Sequence, residues 1–368
     1  MPHAIFIAAT GQNVGKTTFC LGLIAALKRR FDSVGFIKPV GQQHVRIDAQ
    51  TNVDKDVVLF KEHFSLTSEW SDMSTVIFPG GFTRDFLDGK VDPNVLWEKI
   101  CTGYGHIYDN HAYTVVEGTG HVAVGSIVNM NNAQVAAKLG LDIILIASGG
   151  LGSAHDELAL NVSMCRDYGV NIREIILNKV FDDKRGMIQD YFPKTLEKWG
   201  IPLIGCVPFN AFLSNPTIRD FEFLFNTTLL TGESHRYRHF TSTRLVAGSL
   251  QAFLADMIPN ELIITPASRE DIIFATLQKH REVKEQGQNF GGGLILTGRQ
   301  KPNAALLSKI QGEDIPILYA PMCSYDAMKQ ITSYNAKIRC EDVLKVEQAI
   351  RLIEENVDLN RIINRNTK

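Results

Sequence analysis

Paired cysteines, long apolar runs and surplus charge are all lacking in this chain, and each absence closes off a class of protein. Six cysteines (Cys20, Cys101, Cys165, Cys206, Cys323 and Cys340) are scattered over 368 residues, with no C-x-x-C pair and no histidine at zinc spacing. That excludes a disulfide framework and a structural zinc site, and it points to reduced thiols in a cytoplasmic protein. No apolar run approaches the roughly 18 residues of a membrane span, and the chain opens on a strand-like stretch rather than a secretion leader, so no membrane partner is expected. A basic surplus is missing too: 38 Lys and Arg stand against 40 Asp and Glu, for a net charge of −2. Without that electrostatic footprint nucleic acid is not an expected partner. What remains, 45% apolar and 21% charged, is the composition of an ordinary globular protein, long enough for two domains of roughly 150 residues each.

What is present is concentrated first in residues 10–18, TGQNVGKTT. An apolar run precedes this stretch and a helical pattern follows it, the strand–turn–helix context of a phosphate-binding loop. In such a loop the backbone of Gly11, Gln12, Asn13, Val14 and Gly15 turns its N–H groups toward phosphate oxygens at the positive end of a helix. Lys16 reaches the terminal phosphates and the Thr17 hydroxyl meets Mg²⁺, with Thr18 beside them. The usual spacing puts a first glycine five residues before Gly15. Here Thr10 holds that place and the glycine follows at Gly11. These residues are expected to bind a nucleotide.

Strands and helices then alternate. The strand at 34–37 ends in Lys38, at the carboxyl edge where open α/β sheets bind ligands. Lys38 is there either as a second positive charge for a phosphate or carboxylate, or as a solvated strand-end side chain. Residues 42–53 are polar, and Asp54-Lys55-Asp56 opens a helix. Asp56 is either a partner of the helix dipole or a ligand of Mg²⁺, directly or through water. Residues 65–90 read as an irregular excursion, and Pro93 suits the first turn of a helix reaching about residue 108. The apolar strand 113–116 delivers Glu117 to a glycine-containing turn, either as a carboxylate that holds Mg²⁺ or its water, as in P-loop enzymes, or as a strand-end cap of the turn. Asn131 and Asn132 can cap a short helix. The strand at 142–147 runs into Gly149, Gly150 and Gly152, which permit close backbone approach to a ligand or form a flexible connection. A further strand delivers Asn178, whose amide can pair with an adenine edge. About six strands in this alternation predict a doubly wound parallel sheet.

The segments ATGQNVGKTT, FIKPVGQ, VVEGTGHVAVGS, ASGGLGSAHDELAL and ILNKV, in this order, resemble the dethiobiotin-synthetase-like P-loop family over residues 1 to about 225. The versions most similar are fused to phosphotransacetylases or stand alone with a DRTGG domain. The resemblance implies ATP and Mg²⁺ as cofactors, with Lys16 and Thr17 on phosphate and Mg²⁺, and Asp56 and Glu117 near the metal. It places Lys38 near the substrate or γ-phosphate and Asn178 at adenine. Lys16, Lys38 and Glu117 are its implied catalytic residues, and a homodimer is its implied assembly.

Residues 226–242 read as a solvated linker that includes the basic run His235-Arg236-Tyr237-Arg238-His239. A second α/β alternation occupies 243–357, ahead of a polar tail at 358–368. This region resembles a DRTGG domain through ELIITPASREDI and GGLILTG, although the Asp-Arg-Thr-Gly-Gly run is absent and the nearest text is Leu296-Thr297-Gly298-Arg299-Gln300. Relatives suggest a dimerising or small-ligand-sensing module. No stretch resembles a phosphotransacetylase catalytic domain, so acetyl phosphate formation is not expected. Two functions fit the motifs. One is a nucleotide-dependent regulatory protein; the other is an ATP-dependent ligase of the dethiobiotin type.

Overall fold

A computed structural model describes residues 3–49 and 51–364. It resolves into two compact units, Met1–Asn210 with Ile338–Lys368, and Ala211–Lys337. In chain order the strands of the first unit are β1 (His3–Ala9), β2 (Val34–Gly41), β3 (His44–Arg46), β4 (Asn52–Asp54), β5 (Ser74–Ile77), β6 (Tyr113–Glu117), β7 (Ile143–Ser148), β8 (Ile172–Val180) and β9 (Leu203–Pro208). Seven of them form one parallel sheet in the order β5-β2-β6-β1-β7-β8-β9, while β3 and β4 make a separate antiparallel hairpin. The central strands are buried on both faces, which is why they read as continuous apolar runs rather than as alternations.

The parallel sheet has one strand more than the about six that the alternation predicted, and the β3–β4 hairpin is additional. The stretch 65–90 contains β5 and two short helices, Trp70–Met73 and Phe82–Leu87. β5 has only four residues and pairs at the sheet edge, Lys38 opposite Ser74. So short a strand leaves no periodic signal.

Helix α1 (Lys16–Lys28) follows the loop directly, and its apolar residues are buried almost all round. The reason is a second layer. Helix Val343–Asn356 lies against α1 so closely that a Cβ on Gly22 would stand 2.5 Å from the Ile353 Cβ. Val357 forms an antiparallel bridge with Gly205, the Asp358 N–H donates to the Ile204 carbonyl at 2.9 Å, and Arg173 donates to the Ile362 carbonyl at 2.6 Å. Residues 338–357, expected in the second domain, therefore belong to the first. The expected tail contains helix Leu359–Asn364 with Leu359, Ile362 and Ile363 buried, and its residues 365–368 lie outside the described ones. An amphipathic helix carries its apolar stripe in its sequence but not the identity of the surface it covers.

In the second unit the strands are β10 (Leu229–Thr231), β11 (Ser242–Leu245), β12 (Glu261–Pro266), β13 (Gly293–Thr297) and β14 (Ile317–Ala320). They form a sheet in the order β10-β14-β13-β12-β11, parallel except for β10. One core lies on each face, around Ile263, Phe290 and Leu294 on one side and around Phe221, Leu262 and Ile295 on the other. The expected linker at 226–242 is thus not a linker, because β10 lies inside it and pairs with β14. Its basic run is tied into this unit: Arg236 pairs with buried Glu222 at 2.9 Å and His235 with Asp314 at 2.8 Å.

Candidate nucleotide-binding site

Four strand ends of the parallel sheet carry the first unit's polar machinery to one edge. β1 opens into the loop at 10–15, held at its start by the Thr10 N–H donating to the Ile146 carbonyl, 2.9 Å. The Thr10 hydroxyl donates to Glu157 at 3.1 Å, so the residue that replaces the usual first glycine is anchored on the neighbouring helix. Asn13 and Gly15 take positive φ, 56° and 116°. At Gly15 a Cβ would sit 2.0 Å from the Asn178 amide nitrogen, so no larger residue fits. That amide donates to the Val14 carbonyl at 2.7 Å and its oxygen accepts from the Lys179 N–H at 2.9 Å. Lys179 donates in turn to the Asn13 carbonyl, 2.7 Å. Asn178, read in the sequence as an adenine partner, is 5% exposed and holds the loop with one N–H and one lone pair of its oxygen.

Past the loop, Lys16 is buried and donates to the Gly120 carbonyl at 2.6 Å. Thr17 donates to Glu117 Oε1 at 3.2 Å. The end of β6 is thereby joined to the start of α1. The turn after Glu117 is fixed by Asn132, which accepts from the Thr119 N–H at 3.0 Å and donates to the Thr119 and His121 carbonyls at 2.8 Å each. Asn131 is the helix cap, in a reciprocal box with Gln134, and Asn132 is the clamp. Of the glycines after β7, Gly149 has a packing role. A Cβ on Gly149 would stand 2.6 Å from the Val180 Cα, so this glycine lets β7 and β8 close on each other.

Lys38 is not a solvated strand-end lysine. It is 6% exposed and pairs with Asp54 at 3.0 Å, with Asp56, and with Glu117 Oε1 at 3.7 Å. Asp54 was not singled out from the sequence. It closes β4, caps helix α2 (Lys55–Phe64) by accepting from the Asp56 N–H at 3.0 Å, and donates its own N–H to Ser74 of β5 at 3.0 Å. The only signal for it was an acid two residues before Asp56 at a helix start, which is also what an ordinary cap looks like.

Burial and charge set the electrostatics. Burial alone would lower the Lys38 ammonium, but Asp56, Glu117 and Asp54 together hold it above the ordinary lysine value. Burial lowers Lys16, which Glu117 only partly offsets. Burial raises Asp54, with Lys38 opposing. Glu117, 1% exposed, is pushed up by burial to about 7, against the pull of Lys38 and with a further push from Asp56. Its Oε2 is a buried oxygen with no hydrogen-bond partner among the described residues.

Among the described residues no three His, Cys, Asp or Glu side chains gather as a closed metal cage. A nucleotide-bound Mg²⁺ does not need one, because it takes one or two protein oxygens and shares phosphate oxygens and waters. The Thr17 hydroxyl and the unpartnered Glu117 oxygen fit that requirement, and Asp56 lies in the same cluster.

Two phosphate acetyltransferases, from Nitratidesulfovibrio vulgaris and Pseudomonas putida, are each 26% identical to this protein, over 99% and 97% of this chain and 52% and 51% of their own lengths. The chain spans about half the length of these curated relatives. The MinD cell division protein of Aquifex aeolicus, a solved structure, is 13% identical over 57% of this chain and 84% of its own, with a TM-score of 0.35. Among the described residues no helix is long and apolar enough to cross a membrane. Residues 224–334 match the DRTGG domain. Residues 3–217 match the AAA domain family, and the chain therefore belongs to that family, as a P-loop nucleotide-binding protein of dethiobiotin-synthetase-like type joined to a DRTGG domain.

Proposed function

We propose that this chain is an ATP- and Mg²⁺-dependent regulatory protein, in which nucleotide occupancy of the first unit is coupled to a small ligand or partner at the DRTGG unit. The observation that carries the nucleotide part is the convergence of Lys16, Thr17, Lys38 and Glu117 on one loop at the carboxyl edge of the sheet. Lys16 would exchange the Gly120 carbonyl for phosphate oxygens, and Thr17 and Glu117 would hold Mg²⁺, which neutralises phosphate charge when bound. The regulatory part is supported by chain connectivity. The DRTGG unit interrupts the first unit, so it is tied to it at two points, after Asn210 and before Ile338. A homodimer belongs to this reading, and light scattering at micromolar concentration tests it.

A second reading is a ligase of the dethiobiotin type. In that chemistry a carboxylate or carbamate oxygen attacks the γ-phosphorus and ADP leaves; an amine then displaces phosphate from the mixed anhydride. What favours it is Lys38, a charged group fixed beside the phosphate loop and able to stabilise transferring charge. One experiment separates the two: ATP binding and ADP release by wild type and Lys16→Ala, with and without candidate amines plus bicarbonate. Tight binding with negligible turnover under every condition supports regulation. Substrate-stimulated turnover lost in Lys16→Ala supports the ligase, and failure of wild type to bind Mg-ATP removes both.

A further inference from the structure

The chain re-enters the first unit at Ile338, and between there and Val357 it grips the two helices that begin in the nucleotide site. Cys340 donates its thiol at 2.9 Å to Glu62 Oε2, in the last turn of α2. Asp342 then caps helix Val343–Asn356 by accepting from the Lys345 N–H at 3.3 Å, and both residues are buried. Glu347 of that helix acts on His63 of α2, where it opposes the fall that burial imposes on the imidazole. Farther along, Ile353 lies against Gly22 in the middle of α1, and Glu354 pairs with Arg29 just past its end. α1 and α2 are fastened to each other at these same far ends, Lys28 donating to the Phe64 carbonyl at 2.8 Å.

At their near ends the same two helices carry the site. α1 begins with Lys16 and Thr17, while α2 follows Asp54 and holds Asp56 in its first turn, and both acids pair with Lys38. With 13 and 10 residues, at ~1.5 Å each, the helices reach about 20 and 15 Å from the site to the returning segment. A helix in a close-packed interior slides or rotates as a body rather than compressing, so a shift at its far end arrives at its near end. We propose that residues 338–357 are the coupling element of this protein, carrying the state of the DRTGG unit to the phosphate site through the far ends of α1 and α2. This rests on the nucleotide-dependent regulatory reading given above. The outgoing connection has no such reach: it leaves from β9, the outermost strand of the sheet and three places from β1. By linkage the coupling is reciprocal, so nucleotide at the loop shifts the DRTGG unit by the same route.

Reciprocity makes Mg-ATP itself the probe. Hydrogen exchange of residues 211–337 is measured by mass spectrometry with and without Mg-ATP, alongside calorimetric titration of the same samples. Wild type is compared with two full-length variants carrying a short Gly-Ser insertion, one between Lys337 and Ile338 and one between Asn210 and Ala211. Such an insertion is a flexible coil that transmits no displacement. In wild type, Mg-ATP is expected to change exchange within 211–337 by roughly fivefold or more, the lower end of ordinary coupling. The insertion after Lys337 should abolish that change while ATP still binds, and the insertion after Asn210 should keep it. Cys340→Ala, which releases α2 and leaves the helix on α1, should reduce the change, with its unfolding midpoint as the folding control. A full response in the variant with the insertion after Lys337 or in Cys340→Ala would overturn the coupling element alone, as would loss of the response in both insertions. A wild type that binds Mg-ATP with no change in 211–337 would bring down the regulatory reading and the coupling element with it. Failure of wild type to bind Mg-ATP would instead bring down the nucleotide reading.

Discussion

Asn178 donates its side-chain amide to the Val14 carbonyl across 2.7 Å, bridging 164 positions of sequence. Gly15 lies under that bridge with φ of 116° and no room for a Cβ. The shape of the phosphate loop is thus set by a strand two places away in the sheet as well as by its own glycines. Gly15→Ala is expected to abolish nucleotide binding and to cost about 1–3 kcal/mol of stability, from a left-handed backbone and a displaced Asn178. Asn178→Ala should cost only about 1 kcal/mol, the worth of an ordinary hydrogen bond, and weaken nucleotide binding through a looser loop. Urea unfolding and calorimetric titration on the same variants check both.

The two lysines of the site should respond oppositely to removal. Lys16 is buried with its ammonium destabilised by desolvation, so Lys16→Ala should leave the unfolding midpoint unchanged or raised while nucleotide affinity falls by roughly a hundredfold. Lys38 compensates Asp54, Asp56 and Glu117, and Lys38→Ala strands those carboxylates in the interior. A loss of about 3–5 kcal/mol is expected, as for a broken buried ion pair. Equal midpoints for the two variants would contradict this division of labour.

Glu117 sets the pH dependence. Its carboxyl is raised from 4.5 to about 7 in the folded protein. Between those values the folded state holds a proton that the unfolded state has released. Stability of the nucleotide-free protein therefore falls as pH rises from 4.5 to 7 and levels off above, and raised Asp54 acts in the same direction. The fall should be on the order of a few kcal/mol, and Glu117→Gln should flatten it. Mg²⁺-nucleotide affinity should move the other way, rising as pH passes through 7 and Glu117 ionises. Chemical denaturation across pH 5–8, with and without Mg-ATP, measures both slopes.

How much of this was legible in the sequence divides along a physical line. Lys16, Thr17, Lys38 and Glu117 were legible because each sits at a strand end or loop whose strand–turn–helix context is local. Asp54 was not, because its role depends on a short hairpin, β3 with β4, whose pairing has no periodic signature. Asn178 was legible as a functional position, but its engagement with Val14 is a contact between distant segments and could not be read. The dethiobiotin-synthetase-like and DRTGG resemblances were carried by motifs. The division between the units depends on which surface a C-terminal helix covers, and residues 338–357 carry no motif that says so.

That helix supplies the last prediction. Val346, Ala349, Leu352 and Ile353 of helix Val343–Asn356, with Leu359, Ile362 and Ile363 beyond it, are buried in the first unit. At ~1.5–3 kcal/mol for each large apolar side chain taken out of water, their combined burial rivals the 5–15 kcal/mol net stability of a typical domain. Ending the chain after residue 337 should therefore do more than trim a tail. It would uncover the outer face of α1, whose first turn carries Lys16 and Thr17. The truncated protein is expected to lose its cooperative unfolding transition, to bind a hydrophobic dye and to lose nucleotide binding, although every residue of the loop and of the 38–117 cluster is still present. Gly22→Ala in the full chain should reproduce a milder form, about 1–3 kcal/mol, by forcing Ile353 away from α1. A truncation that unfolds at the wild-type midpoint and still binds nucleotide would show that the first unit is complete without its C-terminal helices.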